Sequence, residues 1–351
     1  MRCLPRGLCL VLLLLMAVLC MGCGSAESIG NVFSSGTQAG SSSRMAEGEM
    51  TISMLNVGQG DAILIQTGEQ NVLVDTSDLD ERDKIMAELE KLEIKKIDKL
   101  ILSHPHADHI GSAEVIIKKF GVEDVYDNGM PSTSKIYAGY VKMIKNKGIK
   151  RHGLKAGDVV ELGNGASFHV YYPTEELVEK GRKKDYKHDP NNESLVGKLV
   201  FGNFSMLFTG DAEKAVEKEL LASEYADELH SDILKAAHHG SKTSSGKDFI
   251  KAVSPEAVLI SAGEPGVENG NTYGYPHYAA LRAYRKAGIP ADQLYWTYEN
   301  GTISVTTDGK DYQIHAEHDR SGRMNGCGKS DRCVCGSLRG RPGRPVAGGV
   351  R

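Results

Sequence analysis

Four side chains able to ligate a metal stand close together in Ser103-His-Pro-His-Ala-Asp-His-Ile-Gly111: His104, His106, Asp108 and His109. Imidazole and carboxylate are the non-sulfur donors that Zn²⁺ and Mn²⁺ accept. Four adjacent donors over-serve a single ion. Two ions fit them better, His104 and His106 on one, Asp108 and His109 on the other. Such a pair of divalent ions points to hydrolysis, because a water held between them becomes hydroxide near neutral pH. Sulfur takes no part. The seven cysteines are Cys3, Cys9, Cys20, Cys23, Cys327, Cys333 and Cys335, so the long stretch between residues 24 and 326 has no thiolate nucleophile, sulfur ligand or internal disulfide.

The elements around the cluster follow from hydrophobic period. Leu100–Ser103 reads as a buried strand running straight into the His-rich loop, which puts the donors at its C-terminal edge. Upstream, Thr51–Val57 and Ala62–Gln66 read as short strands joined by a turn at Gly58-Gln-Gly60, and Asn71–Val74 as a third. Ile85, Leu89 and Leu92 mark a helix over Asp80–Lys95 with Ser77 or Asp78 as cap; Ser112–Phe120 and the Ile136, Tyr140, Ile144 stripe mark two more. Then come strands at Val159–Leu162, Ser167–Tyr172, Leu195–Phe201 and Ser205–Thr209, a helix at Glu213–Ala222, a strand at Ile233–Ala236, a helix at Lys247–Val253 and a strand at Ala257–Ser261. A helix at Tyr278–Ala287 and strands around Tyr295, Ile303 and Tyr312 close the pattern. Two β-rich-then-α halves predict an α/β fold with two packed sheets and helices outside.

The H-x-H-x-D-H pattern resembles the signature of the metallo-β-lactamase superfamily. Other segments match in order: Asp75 at the end of Val72-Leu-Val-Asp-Thr76, Asp211 in Phe208-Thr-Gly-Asp211, and Ala237-His-His-Gly-Ser241. Leu55-Asn-Val-Gly-Gln-Gly-Asp-Ala62, Asn191-Asn-Glu-Ser-Leu-Val196 and Tyr273-Gly-Tyr-Pro276 narrow the resemblance to the C-terminal domain of ComEC-type competence DNA-channel proteins, without the channel. The resemblance implies a four-layer αββα sandwich over about 50–316 and two divalent metals, Zn²⁺ or Mn²⁺. It implies Asp211 as the bridging ligand, His239 as the late imidazole ligand, Asp108 and His238 in catalysis, and Asp75 supporting a ligand imidazole. His238 would donate to a phosphoryl oxygen or leaving group. The sequence also departs from the pattern. Tyr275 stands where Tyr-Gly-His-Pro has His, and Thr297-Tyr298 where Thr-Asp is usual. The superfamily's middle His has no counterpart, for Asn191-Asn192 fills that region. His188, Asn192 or a water is left to complete the first site, which suits a weakly held Mn²⁺. Ser241, Tyr273, Tyr275 and His277 are candidate substrate contacts, and Ser244 and Ser245 either cap the next helix or meet substrate oxygens.

The two ends are of another kind. Arg2 and Arg6 precede the apolar run Leu8–Leu19, which ends Leu19-Cys-Met-Gly-Cys23 and resembles a lipoprotein signal peptide over 1–22, with Cys23 lipidated. Residues 23–49 read as a Ser/Gly-rich tether, and 317–351 as a basic tail expected to be disordered. An exported membrane lipoprotein facing outward follows as the expected location. The formal charge of −4 conceals a split. Residues 320–351 carry eight Lys/Arg against the single acid Asp331, so the body is strongly acidic and is no bulk polyanion binder.

The expected function is an exported binuclear hydrolase that attacks a phosphodiester with a metal-bridging hydroxide. The substrate is a nucleic acid, or alternatively an envelope phosphodiester such as a choline-phosphate ester, for which Tyr273, Tyr275, Trp296 and Tyr298 could wall a cation. Lactone or lactam hydrolysis and a non-catalytic role in DNA uptake are further alternatives. No protein partner is expected.

Overall fold

A computed structural model describes residues 48–267 and 270–318 of the chain. The signal-like segment, nearly all of the tether, the basic tail beyond residue 318 and all seven cysteines lie outside the described residues.

Two sheets carry the strands. The first takes β1 (Met50–Met54), β2 (Ile63–Gln66), β3 (Asn71–Val74), β4 (Ile97–Leu102), β5 (Val122–Asp127) and β6 (Lys150–Gly153). The second takes β7 (Val159–Gly163), β8 (Ala166–Tyr172), β9 (Val196–Phe201), β10 (Phe204–Phe208), β11 (Ile233–Lys235), β12 (Ala257–Ile260) and β13 (Leu294–Trp296). The chain then returns to the first sheet with β14 (Ile303–Thr307) and β15 (Tyr312–Ala316). The spatial orders are β15-β14-β1-β2-β3-β4-β5-β6 and β13-β12-β11-β10-β9-β8-β7. Each sheet is antiparallel at one end and parallel at the other: β3 to β6 run parallel in the first, β10 to β13 in the second. The helices are α1 (Arg82–Lys91), α2 (Ala107–Ile110), α3 (Ala113–Phe120), α4 (Lys135–Lys147), α5 (Glu175–Gly181), α6 (Lys214–Leu221), α7 (Lys247–Val253), α8 (Tyr278–Lys286) and α9 (Thr297–Asn300).

Alternation along the strands sorts the apolar residues into three layers. Ile52, Ile65, Val72 and Ile101 from the first sheet meet Phe168, Leu199, Met206 and Ile233 from the second. The neighbours Leu64, Leu73, Leu100 and Leu102 face the other way, against Ile85 and Leu89 of α1, Ile116 of α3 and Tyr140 of α4. On the far side, Leu207, Leu234 and Val258 pack on Val216 of α6, Phe249 of α7 and Tyr284 of α8. The result is helix, sheet, sheet, helix, the expected αββα sandwich.

The start of α1 differs from the expectation. It begins at Arg82 with Glu81 as an N-cap that makes no side-chain capping bond. Neither expected cap serves: Ser77 Oγ donates to the Gln59 carbonyl (3.4 Å), and Asp78 Oδ1 accepts from Asp80 N–H (3.1 Å), ahead of the helix. Strands β5 and β6 and helix α5 were not expected from the periodicity.

Candidate metal centre

The parallel strands deliver the site. Ligands in α/β sheets collect beyond the carboxyl ends of strands. Asp75 follows β3, the Ser103–His109 loop follows β4, Asp211 follows β10, and His238 and His239 follow β11. On the first-sheet side, the loop after β4 ends in the single turn α2, which carries Asp108 and His109. Asp75 fixes this loop from behind. Its carboxylate accepts from Ser103 N–H (2.7 Å), Ser103 Oγ (2.7 Å) and His109 Nδ1 (2.8 Å). With Nδ1 donating to Asp75, His109 presents Nε2 to the site, 3.2 Å from Asp211 Oδ1. His104 Nε2 and His106 Nδ1 face one another at 3.0 Å.

On the second-sheet side, His238 and His239 both lie in the left-handed region, φ 49° and 53°. Two such non-glycine residues in succession are a strained arrangement, of order 1–3 kcal/mol each. The two rings end 6.2 Å apart and at 72° to each other. His239 is buried and donates from Nδ1 to the Ser261 carbonyl (2.9 Å), leaving Nε2 3.2 Å from Asp108 Oδ2 and 3.6 Å from Asp211 Oδ1. His238 turns its Nε2 to the Tyr275 hydroxyl (2.9 Å) and its Nδ1 to Glu213 Oε1 (3.3 Å). Asp211 sits between the groups. Its Oδ1 faces His109 and His239, and its Oδ2 lies 3.9 Å from His104 Nε2 and 3.7 Å from His238 Nε2.

The donor set fits divalent metal. Among the described residues, buried polar atoms without a hydrogen-bond partner include His109 Nε2, His239 Nε2, Asp211 Oδ1 and Asn191 Oδ1. An orphaned buried polar atom costs about 1–3 kcal/mol, and a cation beside His109 Nε2, His239 Nε2 and Asp211 Oδ1 would satisfy those three together. One ligand atom from each of Asp108, His109, Asp211 and His239 lies within 4.8 Å of the others. In the metal-free protein the protonation states of His104 and His106 suit ligation, whereas His109 and His239 hold a proton that a metal would displace. Burial, then the His109 charge, holds His104 well below the ordinary histidine range, and burial lowers His106. Both rings are therefore neutral donors. Burial also opposes charge on His109 and His239, but the surrounding carboxylates, Asp211 foremost, overcome it and push His239 up to about 10. Asp211 is held well below the carboxylate range by His109 and His239, against burial.

A family model described as the metallo-beta-lactamase superfamily matches residues 55–264, more than half of the chain. The chain belongs to the metallo-β-lactamase superfamily. Its fold and donor set are those of a metal-dependent hydrolase. Curated relatives of this superfamily chain include ComE operon protein 3 of Bacillus subtilis, 32% identical over 277 residues that make up 74% of this chain and 33% of that protein. Competence protein ComA of Neisseria gonorrhoeae is 30% identical over 69% of this chain and 30% of its own length. The chain thus spans about a third of the length of these relatives. Among solved structures, a metallo hydrolase from the archaeon Ignicoccus hospitalis aligns with TM-score 0.44 and 16% identity, over 73% of this chain and 98% of that one.

Within this superfamily site the structure brings together Asp75, His104, His106, Asp108, His109, Asp211, His238, His239 and Tyr275. Other candidates are engaged elsewhere. His188 Nδ1 is held by the Glu193 carboxylate (3.0 Å), and its ring packs against Tyr186. Asn192 donates to Asp189 (2.8 Å) and accepts from Glu213 N–H (3.2 Å). His277 Nδ1 accepts from Lys242 N–H. Ser241 bonds Thr243 and also reaches the Tyr275 hydroxyl at the site, whereas Ser244 bonds the Ala212 carbonyl, Ser245 bonds Tyr284, and the cap of α7 is Gly246. Tyr273 is exposed and stacks on Tyr275 at 5.4 Å, while Trp296 is spent in the core with its Nε1 donating to the Ala262 carbonyl.

Three charged residues of the site escaped the sequence reading: Glu213, which meets His238, and the pair Asp61 and Lys235. Asp61 and Lys235 are buried and form an ion pair. Lys235 Nζ also donates to the Gly210 carbonyl (2.9 Å) and lies 4.0 Å from Asp211 Oδ1. Burial works against the Asp61 charge, but Lys235 and His239 hold its carboxyl below the usual range. The signal was present in Gly58-Gln-Gly-Asp61, which packs on the site rather than merely turning a hairpin: Asp61 N–H donates to the Asp108 carbonyl (3.0 Å).

Proposed function

We propose that this chain is an exported two-metal phosphodiesterase acting on nucleic acid, anchored to the membrane through Cys23. The observation that carries the reading is Asp211, one carboxylate whose Oδ1 faces His109 and His239 and whose Oδ2 faces His104. Asp211 would be shared by a first ion on His104 and His106 and a second on Asp108, His109 and His239. Bound Zn²⁺ or Mn²⁺ supplies an activated water and polarises a phosphoryl oxygen. His238 handles the proton. Burial lowers its pKa, so the ring is neutral, Glu213 lies at Nδ1, and Nε2 meets the Tyr275 hydroxyl. Burial pushes that hydroxyl up to about 12, so it stays protonated and donates to His238 Nε2, holding the ring in place beside Asp211. The name of one relative, competence protein ComA, favours nucleic acid as substrate. Because the body is acidic, the ions and the basic 320–351 segment would supply the positive charge that a phosphodiester needs.

The test is hydrolysis of bis(p-nitrophenyl) phosphate and of linear DNA by the purified chain with Mn²⁺ or Zn²⁺. Metal-dependent turnover is expected, falling at least about 100-fold in Asp211→Ala. Products at equal rates from both proteins would refute the reading.

A further inference from the structure

We propose that Asn191 completes the first metal site through its amide oxygen Oδ1, and that this oxygen narrows that site's preference for Zn²⁺ over Mn²⁺. The inference rests on the two-metal reading above and names the ligand that reading lacks.

Four observations converge. Asn191 Oδ1 is buried and has no hydrogen-bond partner. The Asn191 side chain lies against the His106 imidazole, whose Nδ1 faces His104 Nε2. The segment just after Asn191 is fixed to both halves of the site, since Leu195 N–H donates to the Ser103 carbonyl (2.9 Å) and Ser194 Oγ accepts from Asp211 N–H (3.0 Å). The neighbours that could have served instead, His188 and Asn192, are bound to Glu193, Asp189 and the Glu213 N–H. Asn191 is therefore placed by three separate anchors, with the Asn128 amide on the Glu193 carbonyl as the third (2.8 Å), and its oxygen is left unsatisfied.

The chemistry follows from donor type. A site of two imidazoles, one carboxylate and one amide oxygen is richer in hard oxygen than one with three imidazoles. Imidazole suits Zn²⁺, while carboxylate and carbonyl oxygen suit Mn²⁺. Exchange of a ring nitrogen for a carbonyl oxygen should weaken Zn²⁺ more than Mn²⁺.

The experiment is titration of the metal-free full chain with Mn²⁺ and separately with Zn²⁺, read by calorimetry and by bound-metal analysis. Wild type should take two ions. Asn191→Ala should keep one near the wild-type affinity and bind the other at least about 10-fold more weakly. Asn191→Asp, which keeps an oxygen and adds charge, should tighten Mn²⁺. Asn191→His should raise the Zn²⁺ to Mn²⁺ affinity ratio at least about 10-fold. A residue that only braced His106 would lose binding in all three variants alike, which would overturn the proposal. Two ions bound with wild-type affinity by Asn191→Ala and Asn191→Asp would overturn it too, yet leave the two-metal reading standing. A wild-type chain that took only one ion would end both. Should Asn191→Ala fail to fold, the Asp and His variants decide alone.

Discussion

Gly60 shows how closely the site is fitted at the level of single residues. Its φ is +116°, and a Cβ placed there would lie 2.4 Å from the Asp108 carbonyl oxygen. Gly60→Ala should therefore push back the turn that carries Asp108 and His109. The expected result is a loss of about 1–3 kcal/mol in urea unfolding, with metal affinity about 10-fold weaker by titration. His239 sets a pH signature on the metal-free protein. Its folded pKa of about 10 lies above the ordinary 6.5, so its charged form favours folding. That contribution is complete below about 6.5 and is lost as pH climbs through about 10. Metal-free stability in urea should decline across that window, and His239→Gln should flatten the decline. The ligand loop was legible in sequence because its donors are neighbours in the chain. Lys235 was not, because the partner of a buried ion pair at a distant position leaves no local pattern, and Asp61 was hidden because Gly58-Gln-Gly60 reads equally as a hairpin turn.

The strand β11 illustrates what an element contributes. Period-two alternation sends Ile233 to the space between the sheets, Leu234 to the helices and Lys235 inward again. A lysine on an inner face is tolerable only because Asp61 and the Gly210 carbonyl meet it. Lys235→Met should remove the main counter-charge of buried Asp61, leaving only His239 and His109 near it, and destabilise the metal-free protein by about 3 kcal/mol in denaturant titration. Elements were readable where one face is apolar. The Tyr140, Ile144 stripe marks α4, and Asn71–Val74 has the observed bounds of β3. By contrast, β6 is Lys-Arg-His-Gly, an edge strand paired only with β5 and buried on neither face, so it has no alternation to read. Helix α5 buries only Val178 and Gly181, too few positions to show a period. Its start was nonetheless signalled by Thr174, which accepts from Leu177 N–H.

At the scale of the molecule, ligands come from both sheets, so metal ties them together. His104 to His109 belong to the first sheet's edge and Asp211 and His239 to the second's. Ions held at about 100 times their dissociation constant add about 2.7 kcal/mol. Chelation should therefore lower the melting temperature by at least about 5 °C, read by circular dichroism, and re-addition of metal should restore it. The strands β14 and β15 were legible, but their return to the first sheet was not, because partner choice is a property of the closed fold. That return has a consequence for the order of events in a living cell. The β1 strand pairs with β14 residue for residue from Met50 against Thr307, and the Ser53 and Ser304 hydroxyls touch at 3.0 Å across 251 positions. A ribosome, or a pore threading the chain amino end first, must deliver nearly the whole body before the first sheet can close. Until then the β1 edge stays open, a row of unpaired backbone groups that the chain exposes until its last strands are made.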